Sequence, residues 1–177
     1  MASPVAMTHS GTLEKMMGSA GISPPALALL FVASAHAASV SAKDDIGLTV
    51  TLPAPASRIV TLSPSVVEVT YAAGAGDKIV ATVEYSDYPA SALKIPRVGG
   101  HSKIDLEAVI AAKPDLVIAW QSGNAPSAIE KIRQLGIPVY ISQPHKMMDI
   151  PGEIERIGIL AGTTPVAKKA AQDFRKR

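Results

Sequence analysis

Lys113-Pro114-Asp115-Leu116-Val117-Ile118-Ala119-Trp120 is the stretch that decides the fold. Its apolar stretch from Asp115 to Ala119 (DLVIA) shows no polar alternation and ends at Gln121-Ser122-Gly123. A run this short and this apolar, with β-branched residues at its centre, reads as a strand buried on both faces, which is the pattern of a parallel sheet. Three further runs are of the same kind: Arg58 to Leu62 (RIVTL), Lys78 to Val83 (KIVATV) and Pro138 to Ser142 (PVYIS). Between and after them apolar residues recur at helical spacing: Val66, Val69, Ala73; Leu106, Val109, Ile110; Ile129, Ile132, Leu135; and Ile150, Ile154, Ile157, Ala161. The punctuation agrees. Ser65 with Glu68 has capping-box spacing, Asp105 and Asn124 are good helix caps, and Gly136 stands where a C-terminal glycine belongs. Strand and helix patterns in alternation predict an α/β fold, a parallel sheet flanked by helices and wound with right-handed crossovers. Ahead of it, Leu48 to Leu52 followed by Pro53 and Pro55 predicts an edge strand leading into a loop.

The two ends of the chain read differently. Pro25 to Ala33 (PALALLFVA) is an unbroken apolar run, followed by Ala35-His36-Ala37, the small-x-small pattern of a signal-peptidase site. Residues 1–37 are expected to be a signal peptide cleaved after Ala37, which sends the remainder to the periplasm. The run is too short to cross a hydrocarbon core of about 30 Å at about 1.5 Å per residue. At the other end Thr164 is expected to cap a helix with Pro165 in its first turn and a stripe of Val166, Ala170 and Phe174. Lys168, Lys169, Gln172, Arg175 and Lys176 lie opposite that stripe. The sequence then stops, and Phe174 has little obvious core to join; the helix either packs back on the domain or lacks the domain that should follow.

Composition removes several function classes. In 177 residues, 47% are hydrophobic and 18% charged, which describes a globular domain and excludes a disordered chain. The formal charge is +2, but residues 168–177 hold five basic side chains against Asp173, so the rest sums to −2 and offers no basic patch for nucleic acid. Without cysteine there is no disulfide framework, thiolate metal site, catalytic thiol or lipidated cysteine.

Ligands of open parallel sheets bind outside the carboxyl ends of the strands, so the residues just after each apolar run are the informative ones. They are Ser63-Pro64-Ser65, Glu84 to Pro89 (EYSDYP), Trp120 to Asn124 (WQSGN) and Gln143 to Lys146 (QPHK). Three of the six aromatic residues after Ala37 fall there: Tyr85, Tyr88 and Trp120. A flat aromatic at a cleft rim suits a large, partly apolar ligand, although Trp120 and Tyr88 serve equally well as plugs of the sheet end. Tyr85, between Glu84 and Ser86-Asp87, reads as a surface contact. Gly99-Gly100 allow the loop bearing His101 to bend toward the cleft. His101 and His145 have no H-x-x-H or H-E-x-x-H spacing that would mark a metal site. No G-x-S-x-G elbow or P-loop occurs, and Gly74-Ala75-Gly76 follows a helix, so it reads as a turn. An exported α/β hydrolase-like enzyme would have to pair Ser63 or Ser65 with His101.

Arg58-Ile-Val-Thr-Leu-Ser-Pro, Tyr85-Ser-Asp-Tyr-Pro, Val98-Gly-Gly-His with Asp105-Leu-Glu, Lys113 to Trp120 and Gly123-Asn together resemble, in order and spacing, the periplasmic cobalamin-binding proteins of vitamin ABC importers. These belong to the helical-backbone class III of Fe/cobalamin binding proteins. The Lys-Pro-Asp-Leu-Val stretch is shared with relatives that bind haem or ferric siderophores, whereas Tyr-Ser-Asp-Tyr-Pro and Ala-Trp-x-x-Gly-Asn point to cobalamin. By position, Tyr85 resembles the tyrosine lying against the corrin, Trp120 a cleft-lining tryptophan, and Pro64 and Ser65 the backbone lip that touches the ligand. His101 stands where cobalamin binders often place tryptophan, and an imidazole facing a corrin or porphyrin metal is chemically sensible. Glu107 resembles the glutamate that docks on the permease, although a carboxylate in the first turn of a helix is also what the helix dipole favours. The resemblance implies capture and delivery without catalysis, no resident cofactor, and cobalamin or a related corrinoid as transported ligand. It divides the chain into a signal peptide (1–37), an edge strand and linker (38–55), the N-terminal lobe (56–163) and the start of a truncated interlobe helix (164–177), the second lobe being absent.

Overall fold

The computed structural model describes residues 38–177, so the expected signal peptide and its cleavage after Ala37 lie outside the described residues. Four parallel strands form the central sheet: β3 (Ile59–Thr61), β4 (Ile79–Thr82), β5 (Leu116–Trp120) and β6 (Val139–Ser142), in the order β4-β3-β5-β6. Five helices accompany it: α1 (Pro64–Ala72), α2 (Leu106–Ala111), α3 (Pro126–Gln134), α4 (Ile150–Ala161) and α5 (Thr164–Arg175). The strands were predicted to within a residue or two because both faces of the sheet are covered. Ile59, Leu116, Ile118 and Tyr140 pack with Val66 of α1, Ile154, Ile157 and Leu160 of α4, and Ala167 and Ala171 of α5. The alternate residues, Val60, Val117, Ala119, Val139 and Ile141, pack with Val109 of α2 and with Ile129 and Ile132 of α3. Each of the valine, leucine and isoleucine side chains, taken fully out of water, stabilises the fold by about 1.5 to 3 kcal/mol.

Asp115 fixes the amino ends of the two central strands. Its Oδ2 accepts from the Ser57 amide at 2.8 Å and the Ser57 hydroxyl at 2.7 Å, and its Oδ1 accepts from the Arg58 amide at 2.9 Å. The Arg58 guanidinium in turn donates to the Ala112 carbonyl at 2.7 Å, at the end of α2. The Lys-Pro-Asp-Leu-Val stretch therefore has a structural reason for its acid: it aligns β3 with β5 and so sets which residues emerge at their carboxyl ends.

Three expected helix caps are corrected, and the expected edge strand lies in a sheet of its own. The strand at Leu48–Leu52 exists as β2 (Thr49–Leu52), but it does not join the main sheet; it pairs antiparallel with β1 (Val40–Lys43), where no strand was expected. Ala42, Val50 and Leu52 of this hairpin join the core cluster that covers α4, and Asp45 donates from its amide to the Ile141 carbonyl at 3.0 Å. The cap of α1 is Ser63 and not Ser65, because Pro64 occupies the first turn; the Ser63 hydroxyl accepts from the Val66 amide at 3.4 Å. Asn124 does not cap α3, whose cap residue is Ala125 ahead of Pro126. The cap residue of α5 is Thr163, whose hydroxyl donates to the Ala73 carbonyl at 2.6 Å and accepts from no amide of its own helix.

α5 packs back on the domain, through a face one residue out of phase with the expected stripe. Ala167 and Ala171 are buried against α4, Val166 is 54% exposed, and Phe174 is half-buried over a hollow bordered by Val69, Ile150 and Ile154. The close approach follows from Gly158: a Cβ added there would stand 2.2 Å from the Ala167 methyl, so glycine lets the two helices touch.

Candidate functional site at the carboxyl ends of the strands

The site is built around Trp120, the last residue of β5. Its half-buried indole lies across Gly123, where an added Cβ would meet the ring at 1.9 Å, and the His101 ring stands beside it with centroids 5.9 Å apart at 49°. The His101 side chain is exposed, and its loop is shaped by Gly99 at φ +87°, where a Cβ would clash with the Lys103 carbonyl at 2.6 Å. The loop does bring His101 to the sheet end, but Gly99 alone of the glycine pair is required for the bend, since Gly100 has no positive φ and room for a Cβ.

Tyr85 is presented rather than packed. It follows β4 with φ +65° and 77% of its surface exposed. Both of its neighbours are fixed: the Glu84 amide donates to the Gly99 carbonyl at 2.9 Å, and the buried Ser86 hydroxyl shares a hydrogen bond with Thr82 at 2.9 Å. Thr61 continues that chain from β3, donating to Thr82 at 2.8 Å, and Arg97 donates to the Ser86 carbonyl at 3.1 Å. Anchoring on either side of an exposed ring is what a contact residue needs, since the loop's entropy is already spent. Tyr88, expected either to plug the sheet end or to touch a ligand, is 69% exposed and so is no plug.

Pro64 and Ser65 open α1 directly beyond β3, half-buried and exposed respectively. The Ser65 hydroxyl pairs with that of Ser63 at 2.7 Å. No hydrogen bond joins either serine to His101 among the described residues; the Ser63 hydroxyl serves the start of α1. Glu107 is exposed in the first turn of α2, next to the Asp105 cap whose carboxylate accepts from the Ala108 amide at 3.0 Å. Among the described residues no group of three or more histidine and acidic side chains is placed to hold a metal ion, and no helix is long and apolar enough to cross a membrane.

The bracing roles of two loop residues, Asn124 and Gln143, were not foreseen. Asn124 is 3% exposed; its Oδ1 accepts from the Trp120 amide at 2.7 Å, while its Nδ2 donates to the carbonyls of Leu62 and His101, each at 2.8 Å. Gln143 accepts through Oε1 from the Ser122 amide at 3.1 Å and the Ser122 hydroxyl at 2.6 Å, bracing the Trp120 loop from the end of β6. An asparagine before Ala-Pro looks like a cap in sequence, and its partners 62 and 23 residues away leave no local trace.

Beside the site a polar hollow of about 420 Å³ lies between the hairpin turn and α4, bordered by Asp45, His145, Asp149 and Arg156. Backbone amides of Lys146 and His145 donate to Asp149 at 2.9 and 3.0 Å and hold its carboxyl below the usual range. Opposite charges offset one another around this hollow, and the aromatic residues lie outside its lining. The open, aromatic surface at Trp120 is the better seat for a large flat ligand.

Comparison with known proteins identifies the family and the fold. Residues 59–177 match the family described as periplasmic binding protein. The chain is 47% identical over 125 residues, 71% of its own length, to the vitamin B12-binding protein of Vibrio cholerae serotype O1, of which that stretch covers 45%. It therefore spans about half the length of the curated relatives it matches. The crystal structure of the periplasmic vitamin B12 binding protein BtuF of Vibrio cholerae superposes with a TM-score of 0.67, covering 69% of this chain and 48% of that one at 47% identity. The apo form of the periplasmic heme-binding protein RhuT from Roseiflexus sp. RS-1 superposes with a TM-score of 0.57 at 26% identity, covering 65% of this chain and 44% of that one. The family match over residues 59–177 and the parallel sheet with helices on both its faces agree: this chain belongs to the periplasmic binding protein family.

Proposed function

We propose that the chain is the N-terminal lobe of an exported substrate-binding protein that captures cobalamin or a related corrinoid and delivers it to the permease of an ABC importer. The observation that carries this reading is the pair of aromatic surfaces at the strand ends: Trp120, laid flat over Gly123 beside His101, and Tyr85, held outward by its anchored neighbours. The 47% identity to a vitamin B12-binding protein supports the choice of ligand. In this reading Tyr85 lies against the corrin, Trp120 lines the cleft, and Pro64 and Ser65 form the lip. Glu107 docks on the permease, residues 1–37 are removed after Ala37, and residues 164–177 begin the helix that leads to a second lobe. Binding and handover need no bond to be made or broken.

A working site covers 70 to 90% of a ligand of this kind, and one lobe offers a single wall, so binding by the 177-residue chain should be measurable but weak. Isothermal titration with cyanocobalamin and with haemin tests the assignment. Binding of cyanocobalamin, tighter than that of haemin, is the expected result. Haem is the second reading, favoured by the exposed imidazole of His101 beside Trp120. Tighter binding of haemin that disappears in His101→Ala would replace the first reading with the second.

A further inference from the structure

We propose that Asn124 is the positioning residue of the ligand lip, a buried amide that sets the orientation of Trp120 and His101 relative to each other before any ligand arrives. The inference rests on the reading of the strand ends as a binding surface. Trp120 and His101 belong to different connections, one ending β5 and one preceding α2, and their side chains meet only across a tilted 5.9 Å ring contact. Such a contact between partly wet rings does not by itself fix two loops. Asn124 does, because it uses three hydrogen bonds on three separate segments: the Trp120 amide, the His101 carbonyl and the Leu62 carbonyl just past β3. The amide orientation is unambiguous, since one side faces an N–H donor and the other faces two carbonyl acceptors.

The burial decides that this clip is rigid. At 3% exposure there is little water to replace a lost partner, so a side chain unable to donate leaves two carbonyls without their bond. Gly123 completes the device by giving the indole a flat backbone floor, with no room for a side chain beneath the ring. Asn124 touches no ligand in this scheme; it preorganises the two groups that do, and preorganisation is expressed as affinity.

Trp120 is the sole tryptophan of the chain, so its fluorescence reports this site alone. The full chain, Asn124→Ala, Asn124→Asp and Ile132→Ala are compared by thermal unfolding, acrylamide quenching of Trp120 and cyanocobalamin titration. Ile132 is a buried residue of α3 and serves as a control for loss of stability without loss of the clip. Asn124→Asp keeps an acceptor for the Trp120 amide but sets a carboxylate against the two carbonyls. Expected are a roughly twofold rise in the quenching constant in Asn124→Ala, a roughly two- to tenfold loss of cyanocobalamin affinity in both Asn124 variants, and wild-type values of both in folded Ile132→Ala. Wild-type quenching and affinity in a folded Asn124 variant would overturn the proposal, as would an equal loss in Ile132→Ala. If the unaltered chain does not bind cyanocobalamin, the ligand assignment fails while quenching still decides the role of Asn124. If neither Asn124 variant folds, amide exchange of Trp120 in the unaltered chain decides instead, rapid exchange being incompatible with the clip.

Discussion

Arg156 and Asp45 are joined by an ion pair that ties the amino-terminal hairpin to α4. The same guanidinium donates from Nε to the Tyr140 hydroxyl at 2.9 Å, and the other Asp45 oxygen accepts from the Gln143 amide at 2.7 Å. A turn 14 residues before the family match begins is thereby fastened to the strand end whose Gln143 braces the Trp120 loop. Asp45→Ala leaves a partly buried guanidinium and a backbone amide without their acceptor, and should cost about 2 to 3 kcal/mol. The urea midpoint of the variant against the unaltered chain measures this; a change within error would mean the hairpin is an accessory.

Glu153 makes stability depend on pH. It is fully buried on α4, neither carboxylate oxygen has a partner in good hydrogen-bond geometry, and burial pushes its carboxyl up to about 7; the Asp45 charge adds to the rise and the Arg156 charge opposes it. Because its folded value is raised, the folded state holds the proton more tightly than the unfolded chain, whose carboxyl titrates near 4.5. Its stabilising contribution is complete below pH 4.5 and is lost as the pH rises toward 7. Glu153→Gln should remove that dependence and be more stable at pH 8 by roughly 2 to 3 kcal/mol. Urea titrations at pH 5 and pH 8 decide: parallel pH profiles for the two proteins would show that Glu153 is not the group responsible.

Gly158→Ala pits two effects against each other. Alanine favours a helix interior by about 1 kcal/mol over glycine, while a methyl 2.2 Å from that of Ala167 forces α4 and α5 apart at a cost of about 1 to 3 kcal/mol. Displacement of Ala167 should dominate, giving a net loss of about 1 kcal/mol or more. A raised denaturation midpoint would show that α5 does not rest on α4 as closely as the structure has it.

At the lip, Tyr85→Ala and Trp120→Ala should behave unequally. Each removes an aromatic face worth about 0.5 to 1.5 kcal/mol to a flat ligand beyond its buried area, or about two- to twelvefold in cyanocobalamin affinity. Tyr85 is largely in water, and alanine keeps the Cβ that φ +65° disfavours, so its loss should leave the melting temperature unchanged, whereas Trp120 packs on Gly123 and its loss should lower it. Equal melting temperatures with reduced binding in both would assign Trp120 no packing role.

The sheet was legible because strands covered on both faces are written as unbroken apolar runs, and knowing where they end places Trp120, Tyr85, Pro64 and the Gly99-Gly100 bend at the same end of the molecule. β1 was not legible: Val40-Ser-Ala-Lys alternates, with Val40 and Ala42 turned to the core, but four residues with one small apolar member are too short a run to stand out as a strand. Helix starts were misplaced wherever proline stands in the first turn, since Pro64 and Pro126 assign the cap to Ser63 and Ala125 whatever polar residue lies nearby. Glu153 and Asn124 escaped for one common reason. A polar side chain reads as surface or cap from its neighbours in sequence, whereas burial and long-range partners decide what it does.

The final prediction concerns α5, proposed here as the start of the interlobe helix. Its first half is held by Ala167 and Ala171 against α4, and by Thr163 on Ala73. Its last turn rests on less: Phe174 is half-buried and so falls short of the roughly 1.5 to 3 kcal/mol of full burial. Arg175 pairs with Glu155 at 2.8 Å and Lys169 with Asp173 at 2.6 Å, but both pairs face water, where screening leaves them weak. The helix closes on Lys176 in ordinary right-handed conformation, without a glycine to satisfy its last carbonyls. Protection should therefore fall steeply along it, with the amides of Gln172 to Lys176 exchanging orders of magnitude faster than those of Leu116 to Ile118 in β5. Hydrogen exchange read residue by residue by NMR tests this in the 177-residue chain. Equal protection in the two segments would show α5 to be the closing helix of a self-sufficient domain, and the interlobe proposal would be abandoned.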